Sequence, residues 1–306
     1  MTEIRPLRWH DLPFVYRLAG HGVSFDARLS LTAGGDSVYH ALLTGTGRAQ
    51  IYVLRRPDGR GLGQLRFTAD GRYASLAYIA PALEDGADET LWLALLDGLT
   101  AAAGQQGAVS LTAEVDETSQ ALEILRRAGF AAYARQDLWL RSPAPLDAAT
   151  YPLRPASPAD TSLVLSLYNM LSPGLIKHVE PPPNQADTCY LYESAGDVIG
   201  MAPVYRGSQG VLIELYLLPE AYHEALPFAA SVLAAVRADT YPVVCRFRCY
   251  MGYPDSALAK LGFHVFASQA VMVRHTVARV THQAFKPLPD IEGGVPMATP
   301  IARPRE

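Results

Sequence analysis

Two segments of this chain, more than one hundred residues apart, carry the same residue types at the same spacing. Leu125–Phe130 and Leu258–Phe263 both run Leu-x-x-x-Gly-Phe. Each is followed by a glutamine seven residues after its glycine and an arginine twelve after it, which are Gln136 and Arg141 in the first segment and Gln269 and Arg274 in the second. Self-similarity at a fixed period indicates a repeated structural unit. The chain is therefore predicted to fold as two tandem copies.

A second pair of matching segments supports the repeat. Ile4-Arg5-Pro6 is followed by Asp11, and Leu153-Arg154-Pro155 is followed by Asp160 at the same distance. In the second segment Ser157, Pro158 and Asp160 are typical of a helix start, with a cap, a first-turn proline and an acid at the third position. A length of 306 residues suits two domains of about 150 residues each. We predict domains at 1–143 and 150–276 and an irregular Pro-rich tail at 277–306.

The first copy has the pattern of a mixed α+β domain. Turn residues separate three strand-like runs, and helix and strand patterns then alternate. The predicted elements are a helix at 12–18, a looser helical region to residue 43, strands at 49–55, 62–68 and 73–79, a helix at 89–103, a strand at 109–115, a helix at 119–128 and terminal strands at 131–141.

The second copy repeats this order. Its predicted elements are a helix at 158–170, a Pro-rich loop at 181–183, strands at 188–193, 198–206 and 211–217, a helix at 225–237, a strand at 243–250, a helix at 255–261 and terminal strands to residue 274. The fold class is therefore mixed α/β, of the α+β type. Each copy is expected to form a mostly antiparallel mixed sheet flanked by helices.

An antiparallel meander that leads into a βαβ unit and a short helix ending in Leu-x-x-x-Gly-Phe resembles the GNAT N-acetyltransferase superfamily, here in tandem. The opening Arg-Pro-x4-Asp and the endings Gly129-Phe130 and Gly262-Phe263 carry the resemblance. It implies acetyl-coenzyme A as cosubstrate and transfer of the acyl group to an amine.

Members of this family hold the pyrophosphate of coenzyme A in a loop of the form Arg/Gln-x-x-Gly-x-Gly/Ala at a helix start, where backbone N–H groups face the anion. Both copies depart from that pattern. The first has Glu84, Ala87 and Glu89 at these positions, within a cluster of four acids that repels a dianion. Its alternative interpretation is a solvated acidic helix start.

In the second copy Tyr222, Ala225 and Pro227 occupy the motif positions, and Pro227 has no N–H to donate. This loop repels an anion less than the loop of the first copy does. We therefore expect either altered cofactor binding or a site that has lost cofactor binding. The resemblance implies that coenzyme A, if bound, contacts Leu217, Leu218, Tyr222, His223, Glu224 and Ala225.

The acid–base candidates lie in the second copy. Glu214 interrupts an apolar strand where family members carry the carboxylate that receives the amine proton, and its burial is expected to raise its pKa toward neutrality. Its alternative role is an ordinary polar position of a half-exposed strand. The first copy has Leu76 at the same distance before its proline.

Family enzymes protonate the departing thiolate with a tyrosine four residues before the glycine, where this chain has Leu125 and Leu258. Tyr250 and Tyr253 lie nearby and are the candidate substitutes; their alternative role is packing. Arg246 and Arg248 share one face of a strand, which is either solvated or suited to a substrate carboxylate.

Charge and motifs exclude other classes of function. A net charge of −4 gives no basic field for nucleic acid or an acidic membrane, and neither is expected as a partner. The eight histidines are scattered without metal-ligand spacing, so no metal site is predicted. Without an apolar leader or a membrane-length apolar run, we predict a cytoplasmic protein of unspecified oligomeric state.

Two functions remain. One is an acetyl-CoA-dependent N-acyltransferase, active in the second copy, whose acceptor is the amine of a small molecule or peptide. The other is a GNAT-fold protein that has lost the chemistry and binds a ligand or partner.

Overall fold

A computed structural model describes residues 3–33, 49–57, 59–83, 88–183, 186–194 and 196–276. The predicted tail at 277–306, and residues 34–43 of the helical region predicted up to residue 43, lie outside the described residues.

The first copy contains the predicted meander and βαβ unit. Its helix at Glu89–Gln105, α3, begins at a cap formed by Asp88, whose carboxylate accepts a hydrogen bond from the Thr90 amide at 2.9 Å. The elements are β1 (Glu3–Pro6), α1 (Leu12–Leu18), β2 (Val23–Ser24), α2 (Ala27–Ala33), β3 (Ala49–Arg56), β4 (Gly59–Phe67), β5 (Tyr73–Ala80), α3 (Glu89–Gln105), β6 (Ser110–Asp116), α4 (Gln120–Arg127) and β7 (Ala131–Arg141).

The second copy follows the same order. Its elements are β8 (Arg154–Pro155), α5 (Thr161–Leu171), α6 (Gly174–Lys177), β9 (Thr188–Ser194), β10 (Asp197–Arg206), β11 (Val211–Glu214), β12 (Tyr216–Leu217), α7 (Ala225–Val236), β13 (Val243–Arg248), α8 (Asp255–Lys260) and β14 (His264–His275). Short 3-10 turns precede α5 and α7 and follow β13.

The Arg-Pro-x4-Asp repeat forms the same ion pair at the start of each copy. Arg5 contacts the buried Asp11 at 2.6 Å, and Arg154 contacts Asp160 at 2.8 Å. Asp160 also accepts the Ser157 amide at 2.7 Å, which confirms the predicted capping box. The spacing is therefore explained by an arginine on the first strand that holds the start of the first helix.

The strands of the described residues join into one continuous sheet with a repeated topology. Along the sheet the order is β1-β3-β4-β5-β6-β14-β7-β13-β11-β10-β9-β8. Within each copy the meander is antiparallel, and one parallel step joins β5 to β6 or β11 to β13. The two copies thus run inward from opposite edges and meet at β14 and β7.

The two terminal strands are exchanged between the copies. A single strand ends each copy, where terminal strands were predicted; β14 pairs with β6 of the first copy, and β7 pairs with β13 of the second. At the center of the β7–β14 pair the repeated glutamines face each other, and Gln136 Nε2 donates to Gln269 Oε1 at 2.6 Å. The matching glutamines therefore mark a pseudo-twofold axis.

The repeated arginines reach across this axis. Arg141 Nε donates to the carbonyl of Leu261 at 2.8 Å, at the end of α8, and the Arg274 side chain lies against Gly129 at the end of α4. Gly129 and Gly262 both have φ of +83°, the left-handed conformation that ends a helix and favors glycine. Each copy's last strand therefore also supports the last helix of the other copy.

The main cores lie on one face of the sheet, beneath α3 and α4 in the first copy and beneath α7 and α8 in the second. On the opposite face α2 crosses from the first copy onto the second, where Ala27 and Leu31 pack against Tyr205, Leu212 and Val244. This crossing brings the two copies together around a shared cavity.

Candidate functional site

Each copy has a notch where two neighboring parallel strands separate. In the first copy β5 pairs with β6 only from Tyr73 to Ser75, and in the second β11 pairs with β13 only from Val211 to Glu214. Beyond these pairs the strands diverge toward the start of α3 or α7. The predicted cofactor segment of the second copy, from Leu217 to Ala225, lies along this divergence.

Backbone fills the notch of the first copy. Val23 and Ser24 pair with β5, the Phe25 amide donates to the Ala77 carbonyl at 2.9 Å, and the Glu114 amide on β6 donates to the Phe25 carbonyl at 2.9 Å. The Phe25 ring is 1% exposed and meets Trp92 edge-on, with ring centers 5.9 Å apart. Residues 23–25 were predicted within a helical region; they instead bridge the two diverging strands.

The acidic cluster of the first copy agrees with its solvated interpretation where it is described. Asp88 caps α3, and Glu89 pairs with Arg127 on the surface at 2.5 Å. Residues 84–87 lie outside the described residues.

Side chains close the notch of the second copy. The Tyr222 hydroxyl donates to the Met251 carbonyl, and the Tyr253 hydroxyl donates to the Ala225 carbonyl at 2.5 Å, so each tyrosine spans from one side of the notch to the other. The space that remains, near Leu217 and Tyr253, is about 10 Å³. A space of this size holds no more than about one water molecule.

The start of α7 offers few donors for a phosphate. The Ala225 amide already donates to the Tyr222 carbonyl, because a 3-10 turn at Pro219–Glu224 runs directly into the helix. Glu224 accepts hydrogen bonds from Tyr192 at 2.7 Å and from Ser194 at 3.2 Å, while the His223 side chain is 76% exposed. Leu217 is buried and Leu218 half-buried.

Glu214 is buried in an ion-paired network rather than in an apolar pocket. Arg246 contacts it through both Nε, at 3.0 Å, and Nη2, and the Tyr216 hydroxyl donates to its Oε2 at 3.0 Å. Burial alone would raise the pKa of Glu214, but the Arg246 guanidinium, together with Arg248 and the Tyr216 hydroxyl, outweighs burial and holds the pKa below its usual value. The expectation of a raised pKa was wrong because it counted burial and omitted the arginine.

The network joins the two copies. Nη1 of Arg246 binds Glu114 on β6 at 2.9 Å, and Glu114 also accepts the Ala27 amide at 2.7 Å. Nη2 of Arg248 pairs with Glu180 at 2.7 Å. The solvated interpretation of this strand face was wrong, since the Arg246 and Arg248 side chains are 15% and 9% exposed.

The tyrosine candidates differ in their surroundings. Tyr250 follows β13 and is half-buried, and burial raises its pKa to about 12. Tyr253 is 3% exposed and packs edge-on against Phe247, and burial raises its pKa further. Both phenols therefore keep their protons at neutral pH, which a general acid requires, although that of Tyr253 is bound to Ala225.

The counterpart of Glu214 in the first copy is shifted by one position. Leu76 packs in the core beneath α3, whereas Ser75 faces the cavity that Glu214 also lines. Counting back from the proline selected Leu76, but β5 pairs with β4 irregularly between Leu76 and Tyr78, which changes the face. The first copy therefore has a hydroxyl where the second has a carboxylate.

A cavity of about 170 Å³ lies at the junction of the copies, and most of its charged residues were not predicted from the sequence. Glu214, Arg246 and Arg248 line it from the second copy. The members not singled out from sequence are Asp26, Arg28, Arg66, Glu114 and Glu180. The alternating polar residues Thr112, Glu114 and Asp116 on β6 were a sequence signal for Glu114. The other residues lie far in sequence from their partners, so no local pattern marks them.

Two further findings concern the described residues. None of their helices is long and apolar enough to cross a membrane. Within the same residues, no three histidine, cysteine, aspartate or glutamate side chains are grouped so as to hold a metal ion.

Comparison with solved structures identifies the fold. A GCN5-related N-acetyltransferase from Sphaerobacter thermophilus is 14% identical over 90% of this chain and 95% of that one, with a TM-score of 0.53. A tandem GNAT protein from the clavulanic acid biosynthesis pathway is 14% identical over 90% and 98% of the two chains, with a TM-score of 0.52. No family model and no curated protein matches the sequence. The chain has the tandem GNAT fold, and the predicted α+β fold class is confirmed.

Proposed function

We propose that this protein is an acyl-coenzyme A-dependent N-acyltransferase whose one donor site is the notch of the second copy. The observation that carries the proposal is the contrast between the notches: backbone hydrogen bonds fill the first, and two tyrosine hydroxyls close the second. The acceptor is the amine of a small molecule or peptide, and the location is cytoplasmic.

The free energy needed to open a notch for the donor is lower in the second copy than in the first. Breaking one hydrogen bond from a neutral hydroxyl costs about 0.5–1.5 kcal/mol, so releasing Tyr222 and Tyr253 costs about 1–3 kcal/mol. Micromolar binding supplies about 8 kcal/mol, which covers this cost. Opening the first notch would break several backbone bonds and also expose Phe25, whose burial alone is worth about 1.5–3 kcal/mol.

The residues of the second notch fit one part of the cosubstrate better than the other. On the side of β12 that faces β13, Leu217 and Leu218 can lie beside the extended acyl-pantetheine arm. The pyrophosphate fits poorly, because the Ala225 amide is occupied and Pro227 has none. We therefore expect the cosubstrate to lie beside Tyr222, His223, Glu224 and Ala225 without hydrogen bonds from them to its phosphates.

Glu214 is proposed to receive the amine proton. Because Arg246 lowers its pKa, Glu214 stays ionized down into the acidic range and its own titration does not limit turnover near neutral pH. Tyr250 or Tyr253 is proposed to protonate the departing thiolate. When bound, the cosubstrate supplies the activated acyl carbonyl.

A second candidate function is ligand binding without chemistry. The ion pair that occupies Glu214 and the bond that occupies the Tyr253 hydroxyl both favor it. This candidate requires no coenzyme A.

Calorimetry of the full chain with acetyl-coenzyme A and with acetyl-pantetheine separates the two candidates. We expect saturable binding of both donors, with affinities within about tenfold of each other because the phosphates contribute little. If neither donor gives a heat of binding, the acyltransferase proposal is overturned and the ligand-binding protein remains.

Thiol release across a panel of amines tests the chemistry. Glu214→Gln should lower turnover by about 10²–10⁴-fold with little change in donor affinity. Glu193→Gln, at an exposed carboxylate on β9, is the matched control and should leave turnover unchanged. Equal turnover in both variants would remove Glu214 from the mechanism.

A further inference from the structure

The cavity at the junction of the two copies has aromatic walls. Five tyrosines and two phenylalanines line it, together with the proline run at 181–183; the aromatic residues are Phe25, Phe67, Tyr73, Tyr133, Tyr168, Tyr205 and Tyr216. Such walls suit a flat or apolar body.

The charges around the cavity cancel. Four acids face four arginines, and the close pairs are Asp26 with Arg66 at 2.6 Å, Glu114 and Glu214 with Arg246, and Glu180 with Arg248. A ligand with a large net charge would find no compensating field here. A neutral or zwitterionic ligand fits.

One of these pairs retains unused hydrogen-bonding capacity on both partners. Arg248, whose side chain is 9% exposed, contacts Glu180 through Nη2, while its buried Nη1 makes no hydrogen bond to any described residue. Oε1 of Glu180 contacts Nη2 of Arg248 and also accepts a hydrogen bond from the Tyr133 hydroxyl. Oε2 of Glu180 therefore remains as an acceptor beside the unused donor of Arg248.

We propose that this cavity binds a free α-amino acid with an apolar or aromatic side chain. Its carboxylate accepts from Arg248 Nη1, its ammonium donates to Glu180 Oε2, and its side chain lies against the tyrosines. An amino acid carries both charges on one carbon, which matches a donor and an acceptor on two paired side chains.

The binding stands without the acyltransferase proposal, but it gains a role from it. Tyr216 lines both this cavity and the notch of the second copy, and its hydroxyl bonds Glu214. If the second copy transfers an acyl group, the amino acid is its acceptor. The ammonium first passes one proton to Glu214 and becomes the attacking amine. The thioester C–S bond then breaks as the amide C–N bond forms, and the second proton lost from nitrogen balances the proton that the departing thiolate takes from a tyrosine hydroxyl.

Calorimetry of the full chain without coenzyme A tests the site with phenylalanine as probe. We expect saturable binding, and we expect N-acetylphenylalanine and phenylalaninamide, in which one charged group is blocked, to bind at least about tenfold more weakly. The proposal is overturned if neither phenylalanine nor leucine binds at millimolar concentration, or if both blocked analogues bind as well as phenylalanine.

Two conservative variants localize the binding. Arg248→Lys and Glu180→Gln should each weaken phenylalanine binding by at least about tenfold, while Arg135→Met, at a 72% exposed arginine on β7, should not. Circular dichroism identifies a variant that fails to fold. In that case the binding of the blocked analogues to the native protein tests the site. Phenylalanine binding that is unchanged in both folded variants refutes the site. Binding without turnover supports the site and counts only against acyl transfer.

Discussion

Replacing Arg246 by methionine tests whether the network between the copies holds the protein together. The change keeps an apolar stem of similar length and leaves Glu114 and Glu214, with side chains 12% and 8% exposed, without the guanidinium they share. Removing one partner of a buried ion pair costs about 3–5 kcal/mol. Urea unfolding of the full chain at neutral pH should show a loss of this size.

The loss of unfolding free energy caused by Arg246→Met should shrink as the pH falls. In the native protein the pKa of Glu214 is lowered, so its ion pair stabilizes the fold above the usual carboxyl pKa and is lost as the pH drops through the lowered value. In Arg246→Met, burial is opposed only by Arg248 and the Tyr216 hydroxyl, so the pKa of Glu214 rises; the carboxyl takes up a proton on mild acidification and its burial cost is relieved. The difference between variant and native protein should therefore narrow from neutral to about pH 5.

Two controls make this test specific. Arg127→Met breaks a surface pair of similar length, with side chains 48% and 57% exposed, and should cost about 0–1 kcal/mol. The double variant Arg246→Met with Glu214→Leu should recover part of the loss, because apolar residues can replace a buried pair. A loss no larger than that of Arg127→Met, or one that grows toward low pH, would refute this account.

Three further changes probe the fold and the notch. Phe25→Ala should lower the unfolding free energy by about 3–5 kcal/mol by urea titration, while Phe266→Ala, at a 43% exposed ring, should change it far less. Arg141→Met removes five hydrogen bonds to backbone carbonyls and should cost at least about 1.5–3 kcal/mol in the same assay, against little for Arg135→Met. Tyr253→Phe removes one of the bonds that close the second notch and should tighten acetyl-coenzyme A binding by up to about tenfold in calorimetry; unchanged or weaker binding would contradict the proposed opening.

The local elements could be predicted because their signals are local. The strand predicted at 73–79 is observed as Tyr73–Ala80, and the helix predicted at 89–103 as Glu89–Gln105. Turn residues and hydrophobic period fix such elements within a few residues. The repeat itself was visible because the helix endings and their glycines recur.

What the sequence could not predict is which strand pairs with which. A period of two describes one strand and carries no information about its neighbor, so the exchange of β7 and β14 left no local signal. The same limit hid the partners of Glu214: Arg246 lies 32 residues away in sequence, and Glu114 lies 132 residues from Arg246. Burial could be inferred for Glu214, but the sign of its pKa shift depended on those distant partners.

The exchanged strands mean that the segment joining β7 to β8 acts as a tether between two interlocked halves. A protein cut within that segment would still consist of two fragments, each supplying the strand that completes the other's sheet. Alone, each fragment would expose an unpaired inner edge and would be prone to pair with a copy of itself. The intact segment instead holds the halves at an effective concentration near the millimolar range for a short linker, which favors pairing within one chain over exchange between chains. The linker thus makes an intertwined dimer-like arrangement form as a single molecule.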